Sequence, residues 1–212
     1  MNKLIRVFLV LLLGNSFLSA QDFKVKAAGT QTFNFSDENG RNHVSFFSTM
    51  PLEDITGTAS GVSGTVSFDP ANFAKTLKGK ISVKVASMNT GIELRNQHLR
   101  GPNWFNAEKY PDITFEIKSV SNVKAIGENR LEFKVKGDFT FHGVTKELTV
   151  DTEASYLEES EQTKKRAPGD LLGVRAKFNV KLSDYKVDNQ LIGNKVAEDI
   201  EVGVNIVGSN KL

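Results

Sequence analysis

The segment from Leu131 to Phe141 alternates between apolar and polar side chains with almost no exception. Leu131, Phe133, Val135, Phe139 and Phe141 share one phase, and charged or polar residues fill the other. Because successive side chains of a strand point to opposite faces, this pattern predicts a long strand with one dry face and one wet face.

The same alternation recurs along most of the chain, with little helical periodicity between the alternating segments. Gly57, Gly61 and Gly64 interrupt the third of these segments, which predicts either one long bent strand or two short ones. The pattern predicts an all-β protein in which an antiparallel sheet of about eight strands rolls into a barrel around an apolar interior. The predicted strands cover residues 24–35, 43–50, 53–69, 78–88, 112–125, 130–141, 144–156, 171–183 and 196–207.

One stretch departs from the β pattern. Residues 92–100 predict a short helix that ends at Gly101 and Pro102. The single tryptophan, Trp104, and Phe105 follow directly. A short helix with aromatic residues, inserted between two strands, predicts a plug at one end of the barrel.

Residues 1–20 have the composition of a secretory signal peptide: two basic residues, an apolar run over 7–13, and small residues before Gln21. They predict export of a mature single domain, residues 21–212, to the periplasm, with secretion from the cell as the alternative. No later stretch is long and apolar enough to predict a membrane-spanning segment.

Residues 1–20 hold two of the 27 basic residues and none of the 25 acidic ones, so the remaining chain balances at 25 against 25. A near-neutral chain with interspersed charges lacks the basic surface that binds nucleic acid. The absence of cysteine excludes disulfides, thiolate metal sites and a cysteine nucleophile. The one charge-dense segment, residues 157–170, predicts a solvated, mobile hairpin loop, with a binding arm as the alternative.

Residues with catalytic or metal-binding chemistry are sparse. The three histidines, His43, His98 and His142, are scattered rather than clustered, which argues against a metal site. Ser63 lacks the spacing of a nucleophile elbow and falls within a predicted strand. Paired carboxylates for glycoside chemistry remain open from one sequence. We therefore predict no catalytic residue, no metal and no enzyme activity.

Several short motifs, taken in order, resemble the YceI-like family of exported bacterial proteins. The resemblance is best over residues 48–150 and implies a polyisoprenoid-binding, lipocalin-like antiparallel barrel. The chain departs from the family pattern at Leu182-Ser183-Asp184-Tyr185-Lys186, where the family often has an arginine-aspartate-aromatic-glycine run. The motifs that carry the resemblance lie at residues 51–57, 64–69, 90–91, 95–99, 110–115 and 137–146.

The inferred inner face of the barrel is rich in phenylalanine. A barrel of about eight strands is either packed solid by side chains or holds one small ligand. These rings are therefore either core packing or the wall of a tunnel for an apolar chain. The candidate ligand-binding rings are Phe46, Phe68, Phe115, Phe133, Phe139 and Phe178.

Arg95 and His98 are the candidates for contacting a polar head group at the mouth of the barrel. The guanidinium is a planar fork of donors suited to phosphate or carboxylate, and the imidazole could donate to an amide or quinone oxygen. The alternative is structural: Arg95 pairs with a local carboxylate such as Glu93 or Asp112, and His98 caps the helix.

Taken together, these features predict an exported protein that sequesters or carries one long apolar molecule: an isoprenoid, a quinone or a fatty acyl lipid. No cofactor other than such a ligand is expected, and a homodimer is an open possibility. One alternative is a stress-related interaction barrel with a solid interior that acts through surface loops, notably residues 157–170. A second alternative is an enzyme acting on a lipid head group through Arg95 or His98.

Overall fold

A computed structural model describes residues 21–211, which form one antiparallel sheet with short helical connections. The helices are α1, Phe73–Thr76, and α2, Glu93–Arg100, with single 3-10 turns at Pro70–Asn72, Val85–Ser87, Thr163–Lys165 and Leu182–Tyr185. No helix within the described residues is long and apolar enough to cross a membrane. The strands are β1 Gln31–Asn34, β2 His43–Thr49, β3 Asp54–Ala59, β4 Val62–Phe68, β5 Lys78–Lys84, β6 Met88–Asn89, β7 Asp112–Gly127, β8 Arg130–Phe141, β9 Val144–Leu157, β10 Leu171–Lys181 and β11 Asp199–Ser209.

These strands close into a barrel. The hydrogen-bonded order β1-β4-β5-β7-β8-β9-β10-β11 returns to its start because Asn34 of β1 pairs with Ser209 of β11. Strands β2, β3 and β6 continue β1, β4 and β5, respectively, and join the same sheet through the pairing of β11 with β2. Each of these three pairs therefore counts as one strand of the barrel. The result is a closed eight-stranded antiparallel barrel, which confirms the predicted fold class.

The structure corrects one predicted strand and decides between the two alternatives for another. The segment 24–35 forms a strand only over Gln31–Asn34, because the residues before it cross the end of the barrel instead of pairing along a neighbour. The segment 53–69 is two strands, β3 and β4, that bend at Gly61. There the Gly61 N–H donates to Ser87 Oγ at 2.9 Å, and the Gly61 carbonyl accepts from the Lys84 N–H.

One end of the barrel is closed by a cluster of aromatic rings, which we call the base. The rings of Phe68 and Phe73 meet edge to face with centroids 5.1 Å apart, and Phe33 stacks on Phe68 at 5.5 Å. Such aromatic pairs stabilise a fold by more than the burial of their apolar area alone. The buried Tyr156 hydroxyl donates to Asp170 Oδ2 at 2.7 Å, and burial together with this bond raises the pKa of Tyr156. The base consists of Phe23, Phe33, Phe68, Phe73 and Tyr156.

The charged segment 157–170 lies near this closed end and makes several polar contacts with the rest of the barrel. Arg166 donates from Nη2 to Asn42 Oδ1 and lies 3.0 Å from Asp37 Oδ2. The Gly169 N–H donates to Glu159 Oε2. The segment is mostly exposed, as predicted, but these contacts fix it against the connection between β1 and β2.

Candidate functional site: an apolar cavity in the barrel

The barrel encloses a cavity of about 480 Å³. It extends from Phe73, at the base, to helix α2 at the opposite end. Side chains from the inner faces of the strands line it, and almost all of them are apolar. A volume of this size lies within the range of about 300–1,000 Å³ that ligand pockets occupy.

The accessibility of the inward side chains shows that the barrel is hollow between its base and α2. On β8 the inward residues Phe133, Val135 and Phe139 are buried. On β10, by contrast, Ala176 and Phe178 lie on the inner face and yet remain partly accessible. An inward residue is accessible only where open space adjoins it, so the interior is tightly packed at the base and open above it.

The six candidate phenylalanines divide between these two regions. The structure places five of them on the cavity wall and Phe68 in the base, where it is fully buried among other aromatic rings. Strand alternation places all six on the inner face and does not distinguish the two depths along the barrel axis. The roles of these residues in ligand binding stay predictions. The five on the wall are Phe46, Phe115, Phe133, Phe139 and Phe178.

The cavity opens at the end that carries α2, and we call this opening the mouth. Three segments surround it: helix α2, residues 50–53 and residues 187–198. Most polar or charged residues that line the cavity lie at the mouth. Two described lining residues, Thr114 and Thr152, are polar and lie elsewhere on the wall. The polar or charged lining residues at the mouth are Ser48, Glu53, Thr90, Arg95, His98 and Lys195.

Arg95 lies on the cavity lining, as its assignment to the mouth required, but its charge is already engaged. Its Nη1 donates to Glu53 Oε1 at 2.6 Å. Its Nε donates to Thr90 Oγ1 at 3.0 Å, and Nη2 donates to the Thr90 carbonyl at 3.3 Å. The structure therefore provides the local partner considered from the sequence, although the carboxylate is Glu53 rather than Glu93 or Asp112.

A buried hydrogen-bond network holds α2 against the barrel. The side chain of Asn96 accepts from both the N–H and the hydroxyl of Thr90, at 2.7 and 2.8 Å, and donates to Asn89 Oδ1 at 3.0 Å. The same Asn89 oxygen accepts from the Gly91 N–H. No side chain caps the start of the helix at Ile92, so Asn96 connects its first turn to β6 from within the helix. Thr90 and Asn96, which belong to the motifs at residues 90–91 and 95–99, are therefore direct partners in the structure.

His98 and Lys195 are exposed side chains on the two sides of the mouth. Lys195 belongs to residues 187–198, a loop that the sequence analysis did not assign to the site. The loop is held by two contacts: Asn189 donates to the Asn103 carbonyl, and the Ala197 N–H donates to Ser48 Oγ at 2.8 Å. The adjacent apolar residues Leu191 and Ile192, set among turn-forming residues, were the available sequence signal for a second side of the mouth.

Few side chains at the mouth carry metal-binding or nucleophilic chemistry. Within residues 21–211, no three histidine, aspartate or glutamate side chains lie close enough together to hold a metal ion. Within the same residues, no hydrogen bond joins His98, the imidazole on the lining, to a serine or a carboxylate as in a nucleophile–base pair. The cavity therefore offers a large apolar surface and a small polar rim.

A closed antiparallel barrel with an apolar interior open at one end defines a lipocalin-like barrel. Within this class, the domain model of the YceI-like domain matches residues 20–208. The chain therefore belongs to the YceI-like family, which confirms the resemblance drawn from its motifs.

Individual relatives agree with this assignment. The chain is 27% identical to protein YceI of Escherichia coli over 190 residues, covering 89% of this chain and 87% of that protein. Among solved structures, the YceI protein of Campylobacter jejuni superposes with a TM-score of 0.57 at 25% identity, covering 75% of this chain and 86% of the other. A polyisoprenoid-binding domain from Saccharophagus degradans superposes with a TM-score of 0.63 at 16% identity, covering 85% and 99%. At 16% identity, the likeness to the domain from Saccharophagus degradans shows the shared fold alone.

Proposed function

We propose that this protein binds one long apolar molecule inside its barrel and carries it without chemical change. The observation that supports this function is the apolar cavity of about 480 Å³, open at the end that bears α2. The ligand classes that fit are an isoprenoid, a quinone or a fatty acyl chain, since each combines a long hydrocarbon with a small polar end. The name of the domain from Saccharophagus degradans makes an isoprenoid the first candidate to test.

The physical basis of binding is the transfer of hydrocarbon out of water. Each buried methylene contributes about 0.8 kcal/mol, so ten methylenes contribute roughly 8 kcal/mol before the entropic costs of binding are subtracted. Each further methylene that enters the cavity can therefore raise the affinity up to about fourfold without any polar contact. This agrees with a wall that is almost entirely apolar.

The alternative of a solid interaction barrel is disfavoured by the cavity itself. The loop on which that alternative relied, residues 157–170, lies near the base and is bonded to Asn42 and Tyr156. An enzyme acting on a lipid head group would need reactive groups at the mouth, where Arg95 is held by Glu53 and Thr90. We propose that these contacts are structural and that incubation of lipids with the protein yields no product.

Export to the periplasm is the second part of the proposal. It rests on the composition of residues 1–20, which lie outside the described residues. If these residues are a signal peptide, the protein recovered from the periplasmic fraction begins at or near Gln21. Intact-mass measurement of the fractionated native protein tests this, and recovery of the full-length chain from the cytoplasm would contradict it.

Lipid binding can be tested by native mass spectrometry of the purified protein, followed by solvent extraction. We expect about one lipid per chain. Trp104 lines the cavity and is the only tryptophan, so its fluorescence also reports binding, and a brominated acyl chain that enters the cavity should quench it. A chain with no stoichiometric lipid and no quenching by added acyl or isoprenoid probes would refute the proposal.

A cavity-filling substitution supplies a matched control. Ala176→Phe adds a ring inside the cavity, whereas Ala125→Phe adds the same ring at an exposed position of β7. If the ring excludes as few as two methylenes, affinity falls about tenfold or more. We expect this loss for Ala176→Phe and none for Ala125→Phe, with both variants remaining folded.

A further inference from the structure

The exposed large apolar side chains of this protein are concentrated at the mouth. Six such residues occur within residues 21–211, and four of them belong to the segments around the mouth. The other two, Ile126 and Leu157, lie at the opposite end of the barrel on separate strands. The four at the mouth are Leu52, 90% exposed, Leu94, 62% exposed, Ile92, 52% exposed, and Leu191, 40% exposed.

This apolar rim is continuous with the cavity. Ile92, Leu94 and Leu191 are exposed to solvent and also line the cavity wall. Leu94 and His98 are four residues apart on α2, so they share one face of the helix, and both contact the cavity. A hydrocarbon chain could therefore pass from outside the barrel to its interior along apolar side chains only.

The fixed charges around the mouth nearly balance. Arg95 and Glu53 neutralise each other, and the exposed Lys195 is the one further charged residue on the lining of the described cavity. The segments around the mouth also carry Glu93, Arg100, Asp188 and Glu198. An exposed apolar rim without a strong net charge is typical of surfaces that contact a membrane.

We propose that the mouth docks on the surface of a lipid bilayer, with Leu52, Leu94 and Leu191 inserted among the acyl chains. This inference rests on the proposed function, because a bilayer is where a long apolar ligand dissolves. Docking places the cavity opening against the hydrocarbon, so the ligand enters or leaves without exposing its chain to water. The exposed apolar side chains are then covered during transfer and solvent-exposed between transfers.

Vesicle flotation tests the docking. The probes are vesicles of phosphatidylcholine alone and of phosphatidylcholine mixed with phosphatidylglycerol. We expect the unmodified protein to float with both kinds of vesicle, and Leu94→Gln with Leu191→Gln to weaken this binding at least about tenfold. The matched control, Ile126→Gln with Leu157→Gln, removes equally large apolar side chains at the opposite end and should bind as the unmodified protein does.

Cavity binding is measured on the same variants through quenching of Trp104 by a brominated fatty acid delivered without vesicles. If the unmodified protein takes up the fatty acid but does not float with either vesicle, the docking proposal is wrong and the proposed function stands. Equal flotation of the mouth variants and the control variants also overturns docking. Self-association that is lost in Leu94→Gln, without vesicle binding, would assign the rim to a second copy of the chain. Leu52→Gln, at the most exposed position, repeats the test if the double variant does not fold.

Discussion

Arg95 and Glu53 lie 42 positions apart in the chain and are joined at the mouth by a contact of 2.6 Å between Nη1 and Oε1. This pair connects helix α2 to the segment before β3 and leaves the guanidinium with a carboxylate already beside it. The contact therefore decides how strongly Arg95 can attract a charged ligand.

Replacing Glu53 with Gln should make the mouth more selective for anions. The pair is partly exposed to solvent, so we expect the free energy of unfolding to fall by only about 0.2–1 kcal/mol. The freed guanidinium should raise the affinity for a fatty acid about fivefold relative to the fatty alcohol of equal chain length. Competition titrations followed by Trp104 fluorescence measure this ratio. An unchanged ratio would show that Arg95 does not reach the ligand.

Replacing Asn96 with Ala should destabilise the protein far more than its single side chain suggests. The change leaves the Thr90 N–H and hydroxyl without their acceptor in a buried position, at a cost of about 2–4 kcal/mol. Chemical denaturation measures this loss. Gln97→Ala, on the exposed face of the same helix, is the control and should change stability by less than about 0.5 kcal/mol. Equal effects of the two substitutions would contradict the role of Asn96 in holding α2.

Phe68→Ala and Phe178→Ala should have opposite profiles. Phe68 is fully buried in the base, so its removal leaves a cavity and lowers the free energy of unfolding by about 3–5 kcal/mol, with ligand affinity unchanged. Phe178 already adjoins open space, so its removal should lower stability by less and should change ligand affinity. Denaturation and lipid titration on both variants test this, and a loss of affinity on changing Phe68 alone would place the ligand in the base.

Asp37 should make stability fall in acid. Burial alone raises the pKa of this carboxyl, but the hydrogen bonds from Arg41 and the Asn39 N–H, with the charges of Arg166 and Arg41, outweigh burial and lower it. A carboxyl with a lowered pKa in the folded state contributes stability above its unfolded value of about 3.9, and this contribution is lost as the pH falls through the folded pKa. Asp37→Asn should therefore destabilise the protein at pH 7, and the difference in stability should shrink as the pH falls below about 3.9.

Denaturation curves at several pH values provide the measurement for Asp37. Glu38→Gln is the matched control, because Glu38 is the exposed neighbour of Asp37 and forms no ion pair within residues 21–211. We expect its stability to follow that of the unmodified protein at every pH. An Asp37→Asn variant as stable as the unmodified protein at pH 7 would show that the two arginines add nothing to the fold.

Local patterns predicted the walls of the barrel well and its ends less well. Strands β8 and β9 closely follow the predicted segments because each strand presents alternate residues to one apolar interior. The residues before Gln31 carry a similar alternation but cross the base, where they pack against aromatic rings from distant strands. Similarly, a local carboxylate such as Glu93 or Asp112 was the predicted partner of Arg95, and the structure supplies Glu53 from the segment before β3.

The amino-acid sequence by itself determined which side chains face inward, that an antiparallel barrel forms, and that cysteine chemistry plays no part in it. These properties follow from strand periodicity and composition, which are local. Only the tertiary structure decided that Phe68 fills the base while Phe178 borders a cavity, and that Leu94 and Leu191 meet around one mouth. Whether the interior is filled depends on how side chains from eight strands pack together in one enclosed volume. No single segment of the chain carries that information.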